Sequence, residues 1–276
     1  MKTMKCFVFA TLFAASFAAS TACASEYAPW LGNVYEFEAK GIYEYAHSNK
    51  LDTAHGDKSH TLHSNLLKAG LLFTPHPEWD LELEAGFAET TKHSMNYDAT
   101  KLAVRHSWLN DLTGDPISLT TGVTLGLQQE KFLRDLSLIR HGPFEALFHA
   151  SAGKEFGYSD AQYYRAWVMG AVGVANQSSA WTKCEAHLDW IVSETHFVDL
   201  FLKAEKGHGN KRLLLHKHFH GYSHIAYRFA DIGLRYEYCI NSVGSLYVEA
   251  KKRLHARFCP EGLYALEVGF DIPFSF

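Results

Sequence analysis

The chain lacks several things whose absence narrows the choice of fold. Its longest charge-free stretch beyond the N-terminus, between Arg165 and Lys183, includes Asn176, Gln177, Ser178 and Ser179 and is too polar for a membrane-spanning helix. Cysteine is scarce, 5 in 276 residues, which excludes a disulfide-stapled scaffold. No basic block occurs and the formal charge is −4, so nucleic acid is not an expected partner. Proline is rare, and only Pro273 of the 7 falls inside a strand-like pattern, where it weakens ladder pairing locally. The residues that are abundant exclude disorder: 47% are hydrophobic and 14% aromatic.

Residues 1–24 have a basic start with Lys2 and Lys5, a short apolar stretch and an Ala22-Cys23-Ala24 end. That pattern predicts a secretory signal peptide, with lipoprotein processing at Cys23 as the rival. Loss of the leader leaves 24 basic against 30 acidic residues and three cysteines, Cys184, Cys239 and Cys259. An odd number implies that at least one stays free or pairs outside the chain. Residues 25–276 are expected to form one domain.

From Asn33 onward apolar and charged residues alternate with a period of two, the mark of strands with two different faces. In the first segment, 35–45, Tyr35, Phe37, Ala39, Tyr43 and Tyr45 share one face, and Glu36, Glu38, Lys40 and Glu44 share the other. Residues 79–88 repeat this, with Trp79, Leu81, Leu83, Ala85 and Phe87 against Asp80, Glu82 and Glu84. Weaker or similar segments cover 61–74, 101–109, 117–128, 144–155, 163–174, 181–192, 198–206, 222–229, 231–240, 245–257 and 263–276. Pro- and Gly-containing breaks separate many of them.

A soluble antiparallel barrel would turn the apolar face inward, whereas a membrane barrel turns it to lipid. Three features favour the membrane form. The segments run to about 10–13 residues, enough for a tilted strand to cross a bilayer. One face is densely charged, as with Lys183, Glu185, His187 and Asp189, or Arg235 and Glu237. Aromatics (Trp79, Trp108, Phe156, Tyr164, Trp190, Phe197, Phe229) gather near short turns, as an interfacial girdle requires. The final segment alternates Tyr264, Leu266, Val268, Phe270, Ile272, Phe274 and Phe276, with Glu267, Gly269 and Asp271 between them. It resembles the C-terminal insertion signal of bacterial outer-membrane β-barrels, which ends in an aromatic; Asp271 stands where that signal expects glycine.

The resemblance implies an all-β transmembrane antiparallel barrel in the bacterial outer membrane. Its insertion signal would be Gly269, Phe270, Ile272, Phe274 and Phe276, recognised by the barrel-assembly machinery, and its other partners membrane lipid and lipopolysaccharide. The segments number thirteen, but bacterial single-chain barrels use even numbers. Twelve strands result if 222–229 and 231–240 are one, and fourteen if 207–220 hides another; twelve is the expectation. The charged face would then line the lumen: Glu36, Glu38, Lys40, Glu44, Asp80, Glu82, Glu84, Lys183, Glu185, His187, Asp189, Arg235, Glu237 and Glu267.

Two constellations offer chemistry. His149 and Ser151, at i and i+2, share a face, so the imidazole can act as base to the hydroxyl. The pair resembles the His-x-Ser of two groups of outer-membrane lipid hydrolases, the phospholipase A barrels and the lipid A deacylases. There Asn follows the Ser, where this chain has Ala152; the phospholipase spacing reaches Tyr163, and Glu155 is wrongly spaced for the third group. The alternation also points the pair into the lumen, whereas those hydrolases work at the lipid side. His216, His218 and His220 share a face if extended and are the weak metal candidate, in a basic stretch that can equally meet lipopolysaccharide phosphates. No cofactor is expected. The leading function is a porin-like passive diffusion channel for small polar solutes; the alternatives are a closed structural or adhesion barrel, or a lipid hydrolase through His149 and Ser151.

Overall fold

The computed structural model describes residues 26–159, 162–176, 179–215, 219, 221–240 and 243–275. The leader, His216, His218, His220 and Phe276 lie outside the described residues. The strands are β1 (Phe37–Thr53), β2 (Gly56–His76), β3 (Trp79–Thr90), β4 (Asn96–Leu109), β5 (Ser118–Gln128), β6 (Phe144–Ser159) and β7 (Gln162–Ala175). They continue with β8 (Trp181–Ser193), β9 (His196–Gly207), β10 (Arg228–Ile240), β11 (Gly244–Arg257), β12 (Pro260–Glu261) and β13 (Tyr264–Phe274). A 3₁₀ turn (Asp111–Thr113) lies between β4 and β5, and the four-residue α1 (Glu130–Leu133) between β5 and β6.

All ladders in the sheet are antiparallel, and β1 pairs with both β2 and β13, so the sheet closes on itself. The ring holds twelve strands; β12, two residues long, pairs with β1 at one rim outside the ring. Closure leaves every strand of the wall paired on both sides, which is what a bilayer interior demands of backbone polar groups.

Three sequence segments differ from expectation. The stretch 222–229 is no separate strand: β10 starts at Arg228, and Tyr222, Ile225 and Tyr227 are buried in the preceding loop. Its apolar residues serve a packed cluster, not a wall face. Tyr35 and Glu36 precede β1, because Tyr35 sits at φ 61° in a left-handed turn that starts the strand late. The β1–β2 hairpin runs far beyond expectation, to 17 and 21 residues. That is longer than a tilted strand needs to cross a bilayer, and toward the tip the outer face loses its apolar residues while backbone pairing continues.

Burial confirms an inverted wall. Tyr43, Leu83, Phe148, Val168, Leu234 and Phe270 are exposed, while Glu44, Asp80, Arg105, Glu185, Glu249 and Asp271 are buried. Trp79, Trp108, Phe156, Tyr164 and Trp190 stand exposed at the end that carries the connections 77–78, 110–117, 160–161 and 194–195. Phe197 and Phe229 do not join this girdle: Phe197 is buried on the inner face, and Phe229 lines the interior near the other end. That other end carries the long connections 129–143 and 208–227. In the last strand Gly269 faces inward under the ring of Tyr247, where a Cβ would come within 2.3 Å of Cζ, so only glycine fits.

Candidate functional site

The charged inner face is knitted across strands. Lys40 lies 3.7 Å from Glu38 and 3.5 Å from Glu82, and Lys251 donates to Glu44 at 2.6 Å. Lys101 pairs with Glu84 at 3.1 Å, and Lys183 with Glu185 at 2.8 Å. Arg235 pairs with Glu249 at 2.8 Å and reaches Glu267 at 3.9 Å, and the Tyr247 hydroxyl donates to Glu267. Glu237 is buried beside the Cys239 thiol, 3.8 Å away. Arg105 clamps Asp80 through two hydrogen bonds of 2.9 and 2.6 Å. Glu36 departs from the expected set: it precedes β1 and accepts a hydrogen bond from Asn33 at 2.6 Å. The partners Lys101, Arg105, Glu249 and Lys251 were not singled out in the sequence, although counting in twos along their strands places each on the inner face.

His187 bridges two carboxylates, with Nδ1 2.9 Å from Asp199 and Nε2 3.1 Å from Glu185, and its ring stacks on Trp167 at 3.8 Å. Trp167 also donates to Asp189 at 3.2 Å. His187, Asp189 and Asp199 bring ligand atoms within 4.8 Å of one another, the one grouping of metal-ligand spacing among the described residues. Within it the histidine contacts Asp199 and the tryptophan donates to Asp189, while Asp199 Oδ1 has no hydrogen-bond partner among the described residues.

His149 and Ser151 lie buried on the inner face, as the alternation indicated. No hydrogen bond joins them, and the two ring nitrogens and the Ser151 hydroxyl find no partner among the described residues. The imidazole ring sits over Gly122 and meets Tyr27 edge-on at 5.0 Å. Glu155, on the same strand face, pairs with Arg165 at 2.8 Å. Cys184, Cys239 and Cys259 are free thiols.

Two structures enter the lumen, one from each end. At the short-turn end, residues 26–30 fold back inside the barrel. Tyr27, Ala28 and Trp30 are buried against Trp167, Met169 and Ala171. The wall holds this plug by its backbone: Arg105 Nη1 donates to the carbonyls of Glu26 and Ala28 at 3.0 and 3.2 Å, and the Thr120 hydroxyl to that of Pro29 at 2.6 Å. Trp30 donates from its indole to Asp111 at 2.9 Å, in the 3₁₀ turn. Burial would raise the Glu26 carboxyl, but Lys101 and Lys183 hold it down to about 2, so it stays anionic.

At the other end, described residues of the 129–143 and 208–227 connections pack inward at the mouth. Leu136, Leu213, Tyr222 and Tyr227 pack with Leu51 and Phe258 into one apolar cluster, and the Tyr222 hydroxyl donates to the Leu136 carbonyl. Phe132 of α1 is fully buried. Asp135, also buried, accepts from the Thr90 hydroxyl at 2.6 Å, and Arg140 pairs with Asp98. His141 stacks on Trp181 at 3.7 Å, meets Glu145 and Glu205 at 3.2 and 3.5 Å, and touches the Tyr227 hydroxyl. Burial pushes the imidazole down, but the hydrogen-bonded carboxylates of Glu145 and Glu205 win and lift it to about 9. Between plug and cap lies a cavity of about 370 Å³ lined mainly by charged side chains, among them Lys40, Glu44, Lys68, Glu84, Lys183 and Arg235.

No family model and no curated protein matches the sequence. The fold, however, is similar to that of an outer-membrane channel from Pseudomonas putida F1, with 13% identity, a TM-score of 0.68, and coverage of 91% of this chain and 99% of that one. It is also similar to the NanC porin, at 8% identity and a TM-score of 0.53 over 86% of this chain and 98% of that one. The translocator domain of the autotransporter NalP from Neisseria meningitidis gives 8% identity and a TM-score of 0.52, covering 98% of both chains. At these identities the likeness is one of fold. The chain has the architecture of bacterial outer-membrane β-barrels, apolar outside and charged within.

Proposed function

We propose that the protein is an outer-membrane channel for passive diffusion of small polar solutes, shut in the conformation described by its N-terminal plug and its loop cap. The observation that carries this reading is where the apolar packing lies. The wall between the two covers is charged and surrounds a cavity, and the apolar clusters at its ends are built by packing the N-terminal segment and the loops onto a few wall residues. A barrel whose role was to be solid gains nothing from a polar cavity bounded by separable covers. The similarity of fold to a channel and a porin supports the same reading without naming a solute.

The closed structural barrel is favoured by the coverage of both ends, and one measurement separates it from the channel. Refolded protein in a planar bilayer is expected to pass little current, and deletion of residues 26–32 to raise the mean current at least tenfold. Migration on unboiled gels certifies that both proteins are folded. If neither conducts, the channel reading is overturned and the closed barrel takes its place. His149 and Ser151 support no hydrolase here, being unpaired with each other and covered by Tyr27.

Export and assembly complete the reading. Residues 1–24 act as a cleaved leader, and the C-terminal strand, with Phe270 and Ile272 on the outer face and Phe276 at the chain end, engages the barrel-assembly machinery. Deleting Phe276 is expected to cut outer-membrane yield severalfold while leaving secretion intact; normal insertion would overturn that role. The loop end then faces outward, toward lipopolysaccharide, because short turns lie on the periplasmic side of such barrels.

A further inference from the structure

Inside the barrel nearly every cation has a carboxylate, but one region of the outer wall breaks this rule. Strands β9, β10 and β11 bring Lys206, Arg228 and Arg257 into a single register row near the loop end, Arg228 lying directly opposite each of the other two. All three are exposed. Cross-strand neighbours of this kind stand with Cβ atoms about 4.5–5.5 Å apart, and like charges so placed destabilise a sheet. No ion pair to any of them occurs among the described residues, and Arg257 lies 5.1 Å from the centroid of the neighbouring Phe258 ring. The adjoining cleft adds Arg212 and His255; the one acid lining it, Asp52, is engaged by the Phe258 backbone N–H at 2.7 Å.

Below this row the same outer surface turns apolar around a depression. The next outward row is Ala204, Ala230 and His255, and the row after it Leu202, Ile232 and Lys252. Lys252 lies 5.2 Å from the ring centroid of Tyr264. One row further, Leu200, Leu234, Ala250, Leu266 and Tyr45 stand side by side across five strands. Ala250 is the small member, and its methyl group floors an apolar groove of about 590 Å³ between the larger side chains. Cations at the rim and a hydrocarbon-sized groove beneath them, both on the bilayer-facing wall, match one class of ligand: an amphiphile with an anionic head and an acyl tail.

We propose that this face binds a phosphorylated lipid of the outer leaflet, of the lipid A class, with its phosphate on the Lys206–Arg228–Arg257 row and an acyl chain in the Ala250 groove. The ligand's charge removes the repulsion built into the row. The proposal rests on the outer-membrane orientation above, but not on conduction, which is read separately as current.

The test is native mass spectrometry of the refolded full chain, titrated with bisphosphorylated lipid A, with the same lipid stripped of its phosphates, and with inorganic phosphate alone. Wild-type protein should retain one lipid A. The triple variant Lys206→Gln, Arg228→Gln, Arg257→Gln should bind at least tenfold more weakly, and Ala250→Phe, which fills the groove without touching a charge, should weaken binding by a similar factor. Dephosphorylated lipid should bind at least tenfold more weakly to wild type, and inorganic phosphate should not compete at millimolar concentration. Absence of lipid A on wild type overturns the site, as do equal retention by the triple variant, equal binding of dephosphorylated lipid, or displacement by free phosphate.

Discussion

The two ends of the lumen are covered by different means. The plug at the short-turn end is one segment that enters from a single side, held by backbone carbonyls to Arg105 and Thr120 and by one indole to Asp111. The cap at the loop end is made of two loops tethered at both ends, and its cohesion is shared among an apolar cluster, the buried Asp135 and the His141 charge network. A cover made by one short segment can be released as a unit. A closure with distributed contacts loosens by degrees. The plug is therefore the structure whose removal should open a path most completely, and the cap the one that tunes it.

Arg105→Ala is the sharpest way to break this contrast. It removes both plug contacts to Glu26 and Ala28 and strands Asp80, which is fully buried, without a counter-charge. Breaking a buried pair in this way costs about 3–5 kcal/mol. The expected result is a folded barrel that unfolds at lower temperature on gels and shows the largest rise in bilayer current of any single substitution. Unchanged current with lowered stability would mean that the plug holds without its main anchor.

His141→Gln should act more weakly and in a pH-dependent manner. The folded imidazole titrates near 9 against an ordinary 6.5, so its stabilisation of the cap is fully present below about pH 6.5 and is lost as pH rises through 9. A shift of that size is worth on the order of 3 kcal/mol. The groups facing it are Glu145, Glu205, Tyr227 and the stacked Trp181. Proteolysis of the 129–143 loop in wild type should therefore be slow at pH 6.5 and accelerate between pH 8 and 10. In His141→Gln it should be fast throughout, with little pH dependence. A wild-type rate that is flat over this range would remove His141 from the cap's cohesion.

Alternation along the chain was enough to place Tyr43 outside and Glu44 inside, because a wall between lipid and a polar interior imposes a period of two on every strand that forms it. It failed where that constraint ends. The β1–β2 hairpin end is strand but loses the apolar outer face, its inner Leu51 and Leu62 packing on the cap, and 222–229 is apolar in alternation but belongs to a packed loop. Tyr27, Ala28 and Trp30 carried no readable signal at all, since their partners, Trp167 and Met169, are distant in sequence and four residues are too few to show a period.

What the sequence determined by itself is the kind of wall: amphipathic strands, inverted, with an aromatic last strand; the count of twelve and the closure of that strand on β1 came from the pairing. Only the tertiary structure decided which charges neutralise one another and which stand unpaired. Those outcomes depend on register, which sets Arg235 against Glu249 inside and Arg228 against Arg257 outside. It likewise decided where plug and cap sit, since both are held by side chains that several strands of the closed ring bring together.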